Sequence, residues 1–116
     1  MLKSANFREA SITKSSFIGA NMIFVDLLRA VAKDCNFTRA RMSNADMREG
    51  DYESSNFTEA ILFNCNLDRA NLHLCTMTEA NMERANISNL RNPPERGFQA
   101  NAPVNIQNNA AGGNDN

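Results

Sequence analysis

The stretch FTEAILFNCNLDRANLHLCTMTEANMERANI, residues 57–87, carries a compact residue every five positions, each two places before a large apolar one. Ala60, Cys65, Ala70, Cys75, Ala80 and Ala85 are followed at that distance by Leu62, Leu67, Leu72, Met77, Met82 and Ile87. Neither regular element explains such a period. On an α-helix five residues advance by about 500°, so successive large residues would fall about 140° apart and circle the helix. On a strand five is odd, and they would alternate between the faces. A fixed period of this kind signals a repeat architecture. The simplest solution is a chain that turns a corner once per repeat. The compact and the large side chain then point into a narrow interior, and the other three face water.

The pattern runs well beyond the quoted stretch. From Leu2 to Ile87, seventeen of eighteen fifth positions are large and apolar, Ala32 being the exception. Two residues earlier, the seventeen positions from Ala5 to Ala85 hold ten Ala, three Cys, two Ser, Val25 and Gly50. Between the two, eleven of seventeen positions carry Asn or Asp. A second period of twenty is superposed: Glu9, Arg29, Glu49 and Arg69 alternate in sign, Thr38, Thr58 and Thr78 recur, and so do Phe17, Phe37 and Phe57. Twenty residues are four repeats. Coils of four sides, stacked about 4.8 Å apart, would bring these residues into columns and pair Arg48 with Asp68, Lys33 with Glu53 and Arg39 with Glu59. Exposed pairs of this kind contribute only about 0–1 kcal/mol each, but together they define the register.

The segments ANMER, ANLHL, CNLDR, ANMIF and ADMRE resemble the A(D/N)LXX motif of the pentapeptide-repeat family over residues 1 to about 90. The resemblance implies an all-β fold, a right-handed quadrilateral β-helix with four repeats per coil, here about four and a half coils. It also implies two functional classes. One is a scaffold or protein-interaction module that presents flat sheet faces. The other is a rod that mimics B-form DNA, binds DNA gyrase and confers quinolone resistance.

Departures from the pattern carry their own expectations. Ala32 should leave a void into which the ring of Tyr52, one coil above, leans, its hydroxyl reaching a backbone group or water; a bulge at AVAKD is the competing arrangement. Pro93 and Pro94 cannot donate to a further coil. The reading is therefore a β-helix over residues 1–90, a carboxy-terminal extension over 91–107 as a candidate cap through Phe98, Val104 and Ile106, and a disordered tail over 108–116.

Twelve basic and thirteen acidic side chains leave a formal charge of −1, so a basic footprint for nucleic acid is absent. No apolar run is long enough for a bilayer span or a secretory signal, and the expected location is the cytoplasm. Cys35, Cys65 and Cys75 fall in the compact inward slot; Cys35 and Cys75 share a column at about 9.6 Å, beyond disulfide reach. Of the six methionines, five are inward and the sixth is the initiator. His73, the only histidine, is outward and has no evident partner. The sequence thus predicts no enzyme, no catalytic residue, no metal, no cofactor and no small-molecule substrate.

Outward slots hold the informative exceptions, apolar residues where Thr, Ser, Glu, Arg and Asn otherwise prevail. Ile23 and Phe63 share a column with Ser43 between, Ile61 lies beside Phe63, and Phe24 and Leu28 continue around the adjoining corner. Contiguous exposed apolar surface usually marks an interface. Ile23, Phe24, Leu28, Ile61 and Phe63 are the candidate contact residues for a protein partner, with a homodimer as one alternative. The mimic class is disfavoured, because duplex DNA carries about one charge per 1.7 Å, whereas residues 1–90 hold ten Lys or Arg against eleven Asp or Glu.

Overall fold

The computed structural model describes residues 2–94. Its backbone is a stack of coils in which each bridging residue pairs in parallel with the residue twenty positions on, from Asn6 with Asp26 up to Asn66 with Asn86. The inward residue donates upwards, as Leu27 N–H does to Asp46 O at 2.7 Å, and the bridging residue donates downwards, as Asp46 N–H does to Val25 O at 3.0 Å. Most repeats then close a turn, as Ala30 N–H does by reaching Leu27 O at 3.0 Å; at the Ala32 repeat Cys35 N–H bonds Ser55 Oγ instead, at 2.9 Å. The i+3 to i bond goes with a positive φ at the third residue, the requirement of a type II turn. Among the described residues, seventeen that are not glycine hold φ between 54° and 65° at these corners, and Gly19, at 66°, adopts the conformation freely. Left-handed geometry costs an L-residue about 1–2 kcal/mol, so the corners exist because stacking on the next coil offsets a local preference against them.

The Asn and Asp between the two inward residues have a structural task. All eleven accept, through Oδ1, the backbone N–H two residues on, from Asn6 with Arg8 N to Asn86 with Ser88 N. That N–H points outward and no ladder bond uses it, so the side chain acts as a latch on the segment entering each corner.

The interior is a continuous column of the predicted inward residues, with Met22, Leu27, Met42, Met47, Leu62, Leu67, Leu72, Met77 and Met82 buried. Phe17, Phe37 and Phe57 stack face to face, with centroids 5.2 and 4.8 Å apart and planes within 8° and 6°. In the first coil Leu2, Phe7, Ile12 and Phe17 are only partly buried. The chain passes Ala32 without a bulge, Ala32 N–H bonding Asp51 O at 2.8 Å. Tyr52 is fully buried and stands edge-on to Phe37 and Phe57, both at 70°. Its ring is received by Gly50, where an added Cβ would lie 2.5 Å from a ring carbon. Of the two partners expected for the phenol, the backbone group is not supplied: Tyr52 Oη has no hydrogen bond to the described residues.

Cys35, Cys65 and Cys75 are free and buried. Each thiol donates to the carbonyl of the large residue one coil below, to Ile12, Met42 and Tyr52 respectively, at 2.8–2.9 Å. Ser55 makes the same contact with Ala32 O at 2.7 Å.

The ladder ends in a bulge. Arg91 N–H still reaches Ala70 O, but Leu72 N–H bonds Asn92 O and Asn71 bridges Asn92, twenty-one positions on. Two residues thus oppose one, and the prolines follow. The expected cap residues Phe98, Val104 and Ile106, most of the 91–107 extension and the whole 108–116 tail lie outside the described residues.

Candidate protein interface

Four outward faces can be named by their first inward residue: the Leu2, Phe7, Ile12 and Phe17 faces. Each rung offers the bridging side chain, the residue just past the inward one, and the corner residue. Interdigitated charge covers the Phe7 face. Arg29 bonds Glu9 at 3.0 Å and approaches Glu49 at 3.5 Å, and these bonds raise its pKa, the Glu9 hydrogen bond most of all. Arg8 meets Asp26, and Arg69 meets Asp68. Arg48 turns back to Asp46 with two bonds at 2.8 and 2.7 Å, which hold that carboxyl below its usual range. The expected Arg48–Asp68 stack is therefore not formed: the bidentate contact within one rung displaces the single contact between rungs. The Lys33–Glu53 and Arg39–Glu59 pairs do form, at 3.8 and 3.4 Å.

Leu28 requires a second correction. It was expected at the surface but is only 6% exposed. Its column neighbours are Arg8 and Arg48, and both guanidinium groups turn to Asp26 and Asp46 beside it. Long basic side chains flanking an apolar one commonly shield it with their aliphatic stems, which accounts for the burial.

The other four candidates lie together on the Leu2 face. Phe24 is 57% and Ile61 38% exposed, while Ile23 and Phe63 are half-buried. Ser43, between Ile23 and Phe63, leaves a dip in the column. Among the described residues, the remaining exposed large apolar side chains are dispersed: Ile18 on the Phe17 face, Val31 and Leu74 on the Ile12 face.

Sequence reasoning missed the basic residues of the same face. Arg41 precedes Ile61 in the bridging column, and the Arg84 guanidinium lies 6.0 Å from the centre of the Phe63 ring, a cation–π distance. Arg41, Arg84 and Lys3 make no ion pair with the described residues. The signal was present at Arg41 and Ile61, which occupy adjacent rungs of the slot that otherwise favours Asn or Asp. Without that side chain, Ser43 N–H and Phe63 N–H find no acceptor among the described residues.

A groove at the corner of the Phe7 and Ile12 faces, lined by Arg29, Val31, Glu49, Asp51, Arg69 and Arg91, is basic only by composition. Arg29 and Arg69 are taken by carboxylates, and Arg91 by the carbonyls of Arg69 and Gly50 at 2.8 and 3.1 Å. No group of three or more metal-ligating side chains gathers among the described residues.

The family model described as pentapeptide repeats matches residues 15–51 and 54–89 in eight copies. The chain is a pentapeptide-repeat protein. A solved pentapeptide-repeat protein, Rfr23 from the cyanobacterium Cyanothece 51142, aligns with a TM-score of 0.76 at 19% identity, covering 82% of this chain and 63% of its own. That likeness implies the right-handed β-helix. QnrB1, a plasmid-mediated fluoroquinolone resistance protein, aligns in a trypsin-treated form with a TM-score of 0.42 at 18% identity, covering 77% of this chain and 57% of its own. This pentapeptide-repeat protein thus spans less than two thirds of the length of either. No curated protein sequence matches it.

Proposed function

We propose that this chain is a non-enzymatic interaction module, a quadrilateral β-helix of four repeats per coil that binds a protein partner through its Leu2 face. The observation that carries the reading is the clustering of Ile23, Phe24, Ile61 and Phe63 on one face of a rod whose Phe7 face is covered by ion pairs. Contiguous exposed apolar surface favours association, and a rigid flat sheet presents it at little cost in ordering on binding. The side chains that could carry chemistry serve the fold instead: each thiol holds a carbonyl of the coil below. No helix of the described residues is long and apolar enough to cross a membrane, and unpaired buried thiols suit a reducing cytoplasm.

The DNA-mimicking class draws less support. Its partner would require an extended acidic surface, whereas the carboxylates of the Phe7 face are matched by arginines.

The test compares proteins captured by the purified chain and by its Phe63→Asp variant, quantified by mass spectrometry. The variant is expected to keep the wild-type circular dichroism spectrum, because Phe63 projects outward, and to lose a specific partner. Identical captures by the two baits would overturn the reading.

A further inference from the structure

We infer that the partner segment docked on the Leu2 face is acidic as well as apolar, an extended peptide rich in Asp or Glu and in aliphatic side chains. The inference rests on the interaction reading above and adds the chemistry of the occupant. Three kinds of unmet need coincide on this face. Its apolar residues are exposed or half-buried. Its cations Lys3, Arg41 and Arg84 have no carboxylate partner among the described residues, whereas every arginine of the Phe7 face has one. Its formal charge is +2, from these three against Glu83 alone, in a chain whose net charge is −1.

The third need is in the backbone. Arg41 and Ile61 replace the Asn or Asp latch on consecutive rungs, so the outward N–H groups of Ser43 and Phe63 remain free among the described residues, one coil spacing (about 4.8 Å) apart. Thr13 and Lys33 share that condition on the Ile12 face, but there Lys33 is already held by Asp51 and Glu53. Among the described residues, free guanidinium groups adjoin free donors and apolar side chains only on the Leu2 face; the Ile12 face offers the single ammonium of Lys14. A carboxylate beside Ser43 would accept from the backbone and from Arg41, with the charge-assisted strength such bonds have. An aliphatic side chain two residues along would reach the dip between Ile23 and Phe63. A nucleic-acid strand is the less suitable occupant: a three-cation face on an acidic chain lacks the clustered basic footprint that phosphate binding uses.

The test lets the protein select its own ligand. A random peptide library displayed on phage is selected on the folded chain at about 0.15 M salt. The enriched peptides are then measured by fluorescence anisotropy against wild type, the Arg41→Glu/Arg84→Glu variant and Phe63→Asp, with an oligothymidylate strand as a second probe. All variants are first shown to be folded by circular dichroism. The expected peptides combine acidic with aliphatic residues, and the double charge reversal weakens them by about tenfold or more. Enrichment of uncharged apolar peptides that Phe63→Asp abolishes and the charge reversal leaves intact would overturn the acidic chemistry while sparing the interaction reading. Peptides insensitive to all the variants, or no enrichment at all, would overturn both. Tighter binding of the oligothymidylate, lost on charge reversal, would replace the peptide with a nucleic acid.

Discussion

Tyr52 shows how one residue is placed by a neighbour that has no side chain. Its inward slot accepts Leu, Met or Phe elsewhere, and an extra oxygen there has no external outlet. Gly50 makes room for the ring, yet the oxygen remains unbonded among the described residues, and burial raises the phenol pKa well above its ordinary value. An unsatisfied buried hydroxyl costs about 1–3 kcal/mol. Tyr52→Phe is therefore expected to raise stability by about 1–2 kcal/mol, read as a higher urea midpoint at unchanged slope. A lower midpoint would show that the hydroxyl does have a partner. The converse substitution, Gly50→Ala, should cost on the order of 1–3 kcal/mol by overpacking, and much less in a Tyr52→Leu background, where the ring is gone. The sequence marked Tyr52 and Ala32 as the irregular pair. It did not reveal that Gly50 receives the ring, because a glycine in a slot of small residues looks like any other small residue.

At the scale of one repeat, the fold was legible because each slot imposes a different physical demand. The inward pair needs bulk and compactness, the bridging slot an acceptor for an outward N–H. The corner demand was also written in the chain. Among the described residues, none of the eighteen at corners with positive φ is Val, Ile, Thr or Pro, the types that a left-handed conformation excludes most strongly. The candidate interface was only partly legible. Periodicity places Leu28 outward, yet it is buried between the columns of Arg8 and Arg48, and where long side chains turn along a face has no period. Arg41 and Ile61 are better guides, since both break the latch slot on neighbouring rungs. Ile61→Asn should restore an acceptor for Phe63 N–H and raise stability by about 0.5–1.5 kcal/mol. The same substitution should weaken partner binding, because it removes an apolar contact and occupies a free donor. Urea denaturation and the anisotropy assay on one preparation would check both signs. A variant that is more stable and binds as well as wild type would show that the latch vacancy has no functional purpose. A trade of this sort is common where function needs a local rule broken.

Across the whole molecule, the coils share one uninterrupted interior, and the thiols are its pH-sensitive members. Cys65 and Cys75 belong to different faces, and each sits in the compact slot that alanine fills in ten other repeats. Burial pushes both pKa values from 9.0 to about 12. Below pH 9 a thiol keeps its proton in the folded and unfolded chain alike, and its contribution to stability is fully present. As pH rises beyond that point the unfolded chain releases the proton while the folded chain retains it, so stability falls across the window from 9 to about 12. Each thiol contributes a slope approaching about 1.4 kcal/mol per pH unit well inside that window. Urea midpoints measured at neutral pH and at two alkaline values should therefore drop. They should drop less steeply in the Cys65→Ala/Cys75→Ala variant, which keeps the slot filled but removes both protons; the remaining slope would come from groups such as Tyr52. Equal slopes in the two proteins would mean that the thiols gain their charge without opening the stack. A thiolate formed in place would have to lie within the narrow interior, against the carbonyls of Met42 and Tyr52 to which the thiols now donate at 2.8 and 2.9 Å. Deprotonation turns each attractive contact into repulsion between two acceptors, so opening of the coils is the expected route to the thiolate.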